Sequence, residues 1–179
     1  MLWPLNRIMM VRILNLVSKL LYFAYGSNLH PDWFRSRISS AKKLHTEILY
    51  QWQLHFHKIG RDESAKCNII KTDVSDDSVH GVIYRFNYDE KYILDEFEHG
   101  YRSVRMSVGG YEDVLVYLAC NEKINNAILP YTWYKDIVVA GAHHHNLPQE
   151  YINFLKSVRA IKDPDNEREQ RNRLIVRSI

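Results

Sequence analysis

Two short stretches of this sequence carry residue types that can handle a proton and an anion. The first is Leu94-Asp95-Glu96-Phe97-Glu98-His99-Gly100, where Glu98 falls at the end of a segment with helical spacing. Unpaired carbonyls make a helix C-terminus partly negative, and Asp95 and Glu96 add like charge, so a carboxyl there is pushed toward a higher pKa. A carboxyl tuned upward can take up and return a proton near neutral pH. Read alone, the segment also fits a solvated acidic helix face. The second stretch is "YFAYGSNL", Tyr22 to Leu29, which starts as an aromatic strand and breaks into glycine, serine and asparagine. If the turn opens onto a short helix at His30-Pro31-Asp32-Trp33-Phe34, unpaired backbone N–H groups converge on one spot suited to an anion.

A third group, His143-His144-His145 with His55 and His57, invites a metal reading. Three consecutive histidines cannot all face one ion from a regular element, and carboxylate or cysteine partners at ligand spacing are missing from the sequence. These histidines read as exposed, and no metal is expected. No Gly-x-Ser-x-Gly elbow or phosphate loop supports a serine hydrolase or a nucleotide hydrolase.

The elements that must position these residues follow from period and punctuation. "EILYQWQLHFHKIG" alternates as a strand, with Leu54 and Phe56 on one face and His55 and His57 on the other. "NIIKT" and "HGVIYRF" read as strands flanking the turn-rich Asp73–Ser78, and "YRSVRMSV" and "YEDVLVYLA" as a hairpin around Gly109-Gly110. Between the pairs, Asn87 as N-cap, Glu90 at capping-box spacing, an Ile93/Leu94/Phe97 stripe and Gly100 mark a helix. A further helix covers "LPQEYINFLKSVRAI", with Pro148 near its start. Strands clustered centrally, with helices inserted and appended, predict an α+β domain around a curved sheet or small barrel.

At 179 residues and 46% hydrophobic content the chain can bury one core, read as one domain over residues 21–161. Residues 1–20 are basic, free of acidic residues and partly amphipathic, and read as a poorly packed extension with some targeting character. Arg7, Arg12 and Lys19 interrupt them too often for a spanning helix, so no transmembrane segment is expected. Residues 162–179 are polar and read as a loose tail. A net charge of +3, dispersed along the chain, argues against a nucleic-acid partner. Two cysteines in a chain of this length favour a reduced, cytoplasmic protein.

"YFAYGSNL", "LDEFEHG" and "WYKDIVVAGAHHHNLPQEY", in that order, resemble the gamma-glutamylcyclotransferase family over residues 21–161. The resemblance implies a small mixed β-barrel with flanking helices and no cofactor. Its expected chemistry releases 5-oxoproline and a free amino acid or amine from a small γ-glutamyl substrate, as in glutathione metabolism. By motif, the substrate loop is Tyr22, Phe23, Ala24, Tyr25, Gly26 and Ser27 with Asn28 behind it, and the catalytic carboxylate is Glu98, not Glu96. Tyr101, Tyr117 and Tyr134 fall where the family often has pocket tyrosines; each is also an ordinary packing aromatic. His99 stands between Glu98 and Gly100, where many members have glycine directly. Asn28 after the Tyr-Gly-Ser run favours γ-glutamyl amino acids or amines over glutathione. The alternatives are a binding protein of the same fold without catalysis, and a cyclotransferase specialised for a biosynthetic intermediate.

Overall fold

In the computed structural model, which describes residues 18–178, strand β1 (Lys19–Ala24) runs through the middle of a five-stranded sheet. Leu20, Tyr22, Phe23 and Ala24 are all buried, and a strand apolar on both faces must be covered on both. Around it lie β2 (Lys42–Tyr50), β5 (Ser78–Asn87), β6 (Tyr101–Val108) and β7 (Tyr111–Ala119), in the order β2-β5-β1-β7-β6. β1 is antiparallel to β5 and parallel to β7. β3 (Trp52–Ile59) and β4 (Ala65–Lys71) form a separate antiparallel hairpin.

The α+β class is as expected, but the sheet does not close into a barrel. The single strand read at "EILYQWQLHFHKIG" is two, divided at Gln51, whose positive φ of 64° turns the chain. β3 leaves the sheet there and pairs with β4 instead. The Gly109-Gly110 hairpin forms as read, with Gly109 at φ 60°.

Among the described residues five α-helices accompany the strands: α1 (Pro31–Arg35), α2 (Lys91–Phe97), α3 (Thr132–His144), α4 (Gln149–Ser157) and α5 (Asn166–Val176). A 3₁₀ turn, Tyr88–Glu90, leads into α2 in place of the predicted capping box. Glu90 accepts hydrogen bonds from Ser39 and Ser40 instead, and the Asn87 N–H donates to Ser40 Oγ at 2.8 Å. Gly100, at φ 79°, terminates the segment as predicted.

α3 braces the glycine turn. A Cβ at Gly141 would lie 2.5 Å from the backbone of Leu29 and His30, so only glycine lets α3 approach the 3₁₀ turn Ser27–Leu29 this closely. His145 is buried rather than exposed, with Nε2 2.9 Å from the Leu29 carbonyl and 3.1 Å from Tyr84 Oη; His143 and His144 are exposed. Burial lowers the His145 pKa to about 4, so the ring is neutral and can donate Nε2–H to Leu29. Among the described residues no group of three or more potential metal ligands converges.

The residue 1–20 extension lies almost wholly outside the described residues. The tail expected to be loose contains α5, anchored by a buried carboxylate. Asp163 accepts from Trp133 Nε1 at 2.8 Å, from Arg168 Nε and Nη2 at 2.6 Å each, and from the Asp165 N–H at 2.9 Å. The bonds from Arg168 foremost hold its pKa at about 2. A depressed carboxylate contributes stability above its unfolded pKa and loses it as pH falls through the folded one. Asp163→Asn is therefore expected to cost about 2 kcal/mol near neutral pH and to flatten acid unfolding between about pH 4 and pH 2, read by urea titration at stepped pH. An unchanged acid transition would mean that Asp163 does not anchor the tail.

Candidate active site

β1 and β7 are parallel and end on the same side of the sheet, where β6 begins beside the end of β7. Three chemistry-bearing segments meet there: the Tyr25–Asn28 turn after β1, Glu98 after α2, and the β3–β4 hairpin folded across them. Together they enclose a cavity of about 280 Å³, small enough for a dipeptide-sized ligand.

Ser27 and Asn28 begin the 3₁₀ turn, and the first internal bonds of the turn come from Leu29 N to Gly26 O and His30 N to Ser27 O. The N–H groups of Ser27 and Asn28 therefore precede the first bonded donor, the usual situation at a helix start. Gly26 has a φ of −114°, outside the left-handed region, and the space beside it is tight. A Cβ there would lie 3.0 Å from Cys67 Cβ and 3.5 Å from Tyr134 Oη.

Glu98 is partly buried in the cavity wall, and its Oε1 accepts from Asn28 Nδ2 at 2.9 Å. Asn28 is the hub of the site. Its Nδ2 also donates to Tyr22 Oη at 3.0 Å, and its Oδ1 accepts from Arg37 Nη1 at 3.2 Å. A carboxylate and a hydroxyl on one side and a guanidinium on the other allow only one orientation of the amide. Arg37 is held in turn between Trp33 and Phe97, with ring centroids 4.3 and 4.5 Å away.

The pKa of Glu98 is raised, chiefly by burial and in small part by Asp95; Arg37, Lys58 and the Asn28 hydrogen bond oppose the rise. The predicted direction is right, but loss of solvent is the leading cause and not the end of the helix. Glu96 points to solvent and lies outside the cavity wall.

Tyr22, Tyr25, Gly26, Ser27 and Asn28 line the cavity, as do Tyr101, Tyr117 and Tyr134. Phe23 and Ala24 do not. Both are fully buried in β1, laddered against Ile83 and Val82, and strand geometry turns them into the core. The three tyrosines also brace the frame. Tyr101 Oη donates to the Cys67 carbonyl at 2.6 Å, Tyr134 Oη accepts from the Cys67 N–H at 3.0 Å, and Tyr117 Oη donates to Asp95 Oδ1 at 2.6 Å. They thereby tie the β4 peptide and α2 to the cavity. Burial pushes the Cys67 thiol up to about 12, so it is not a thiolate nucleophile at neutral pH.

Sequence reasoning missed the cationic wall. Arg37, Lys58, Arg61 and Lys66 all line the cavity, together with Trp33 and Trp133. Lys66 pairs with Asp62 at 2.7 Å and lies 4.9 Å from the Trp133 ring centroid. Arg61 Nη2 donates to the Glu96 carbonyl at 2.9 Å. Trp133 stands next to Tyr134 in the same sequence motif. The lysines carried no comparable signal, because their placement depends on the fold of the hairpin.

Known proteins resemble this chain in sequence and fold. Residues 78–155 match the AIG2-like family. Among curated proteins, the chain is 31% identical over 150 residues to a gamma-glutamylcyclotransferase of Mus musculus, covering 77% of this chain and 78% of that one. Among solved structures, one named gamma-glutamyl cyclotransferase superposes with a TM-score of 0.76 at 26% identity, over 88% of this chain and 99% of the other. An uncharacterized protein from Homo sapiens gives 0.73 at 27% identity, over 87% and 98%. With this relative aligned over most of both chains and the same frame found in solved structures, the chain belongs to the gamma-glutamylcyclotransferase family.

Proposed function

We propose that this protein cyclises γ-glutamyl amino acids to 5-oxoproline, releasing the amino acid, with Glu98 as the proton carrier. The observation that carries the reading is a single raised carboxyl, Glu98, fixed by Asn28 in the wall of a cavity that also contains the Tyr25–Asn28 turn.

The substrate α-carboxylate sits against the Ser27 and Asn28 N–H groups, with Arg37 nearby. Glu98 takes a proton from the α-ammonium, and the freed amine attacks the γ-carbonyl carbon to close a five-membered ring. Backbone donors of the turn stabilise the resulting oxyanion. As the tetrahedral intermediate collapses, the bond to the departing nitrogen breaks and Glu98 returns its proton to that nitrogen. The departing amine leaves as an ammonium ion, so two protons in all pass from one nitrogen to the other, and Glu98 carries them in succession.

Charge supports an amino acid over an amine as the leaving group. Four cations line the cavity, Arg37, Lys58, Arg61 and Lys66, against two carboxylates, Asp62 and Glu98, leaving two positive charges. With its α-ammonium in place, a γ-glutamyl amino acid has a net charge of −1 and offsets part of that excess; a γ-glutamylamine is neutral overall and offsets none of it. A panel of both classes, assayed for 5-oxoproline, is expected to favour the amino-acid conjugates by about tenfold or more in kcat/KM. Preference for amines would reverse the assignment of the leaving group, and no 5-oxoproline from any member would overturn the activity.

A further inference from the structure

Lys58 is 4% exposed, and among the described residues its ammonium has one hydrogen-bond acceptor, the His99 carbonyl at 2.6 Å, and no ion-pair partner. A buried cation is costly unless its surroundings repay desolvation, so its placement calls for a cause. The strand aims it there. The β3–β4 register shifts between Phe56 and Lys58, a bulge that breaks alternation, so His57 and Lys58 are both buried in succession. A bridge to Ile124 and a bond from the Asn125 N–H to the His57 carbonyl at 2.8 Å hold the bulge in place.

The target of the ammonium is the turn that carries Glu98. Its Nζ lies 4.6 Å from the Tyr101 ring centroid, and a Cβ on Gly100 would come within 3.1 Å of Lys58 Cε. His99, between Glu98 and Gly100, thus presents its carbonyl to a lysine that no other acceptor among the described residues engages. We propose that Lys58 is a positioning residue for Glu98, fastening the Glu98–Gly100 turn through the His99 carbonyl.

This rests on Glu98 being the base. The charged groups facing Lys58 are Glu98, which favours its ammonium, and Lys66, Lys123 and Arg61, which oppose it. Glu98 itself faces Arg37, Lys58 and Asp95. Burial brings Lys58 down to about 8, so the ammonium is present through neutral pH and disappears just above it. Neutral lysine still donates a hydrogen bond, but a weaker one, and no longer offsets the charge of Glu98.

The test is the pH profile of kcat and kcat/KM for Lys58→Met and Lys58→Arg on γ-glutamyl-alanine, with melting temperatures recorded. The parent is expected to decline above about pH 8. Lys58→Met should lose about thirtyfold or more at pH 7, mostly in kcat, show no alkaline decline, and shift its acid limb upward because a cation beside Glu98 is gone. Lys58→Arg, charged throughout, should recover about tenfold of that loss and extend activity past the parent's decline. An acid limb in Lys58→Met superimposable on the parent's, with kcat retained, would overturn the proposal. So would an alkaline decline in Lys58→Arg matching the parent's, and that profile alone decides the question if Lys58→Met does not fold. If Glu98→Gln cyclises as fast as the parent, the assignment of the base fails and the role of Lys58 falls with it; an inactive Glu98→Gln beside either of the Lys58 results above overturns the Lys58 proposal alone.

Discussion

Glu98→Gln is expected to lower kcat/KM by about a hundredfold or more while leaving circular dichroism and affinity for 5-oxoproline close to those of the parent. The amide retains an oxygen to accept from Asn28 Nδ2, so the Tyr22–Asn28–Arg37 network survives, but it has no lone pair basic enough to take the ammonium proton. Burial makes the ionised carboxylate the disfavoured form in the fold, so the neutral isostere should melt no lower than the parent at neutral pH. Glu96→Gln, an exposed change outside the cavity, should keep parental turnover. The pH profile makes the same point. Only ionised Glu98 accepts a proton and its pKa is raised, so kcat/KM should climb with pH through a value above the ordinary carboxylate range. That limb should be missing from Glu98→Gln. Comparable turnover by Glu98→Gln, or a parent profile flat from weakly acidic to neutral pH, would remove Glu98 from its role.

Gly26→Val should have an effect of similar size on binding. The space beside Gly26 is what a side chain lacks: the first added carbon meets Cys67 Cβ at 3.0 Å and Cys67 Sγ at 3.6 Å, before valine's methyls are placed. Cys67 cannot yield freely, because Tyr101 and Tyr134 grip its carbonyl and N–H. The turn must therefore move into the cavity or the β4 strand away from it. Overpacking of this kind costs about 1–3 kcal/mol, and the displacement should raise KM by about tenfold to a hundredfold. Gly26→Ala, adding only the first carbon, should fall between. Calorimetric titration with 5-oxoproline beside thermal melting separates the two effects. Parental affinity in Gly26→Val would show that the turn does not hold the ligand.

What the sequence determined by itself was local. The Gly109-Gly110 turn, the helix ending at Gly100, the Tyr-Gly-Ser-Asn break after β1 and the position of Glu98 each depend on a few consecutive residues whose backbone preferences act over short range. Period alone also placed β4, β5 and α4. The tertiary structure decided whatever depends on two distant segments meeting. Phe23 and Ala24 share the glycine-turn motif but point into the core, because a central strand is covered on both faces. Glu90 has the spacing of half a capping box but bonds to Ser39 and Ser40, 51 and 50 residues away in sequence. His145, one of three identical neighbours, is the one the fold turned inward beneath Leu29. Lys58 reached the cavity through a bulge that strand alternation does not foresee, and Arg37 through two aromatics from different helices. Glu98 shows the division most clearly: its place was legible, whereas its raised pKa comes mainly from the burial that these distant segments impose around it.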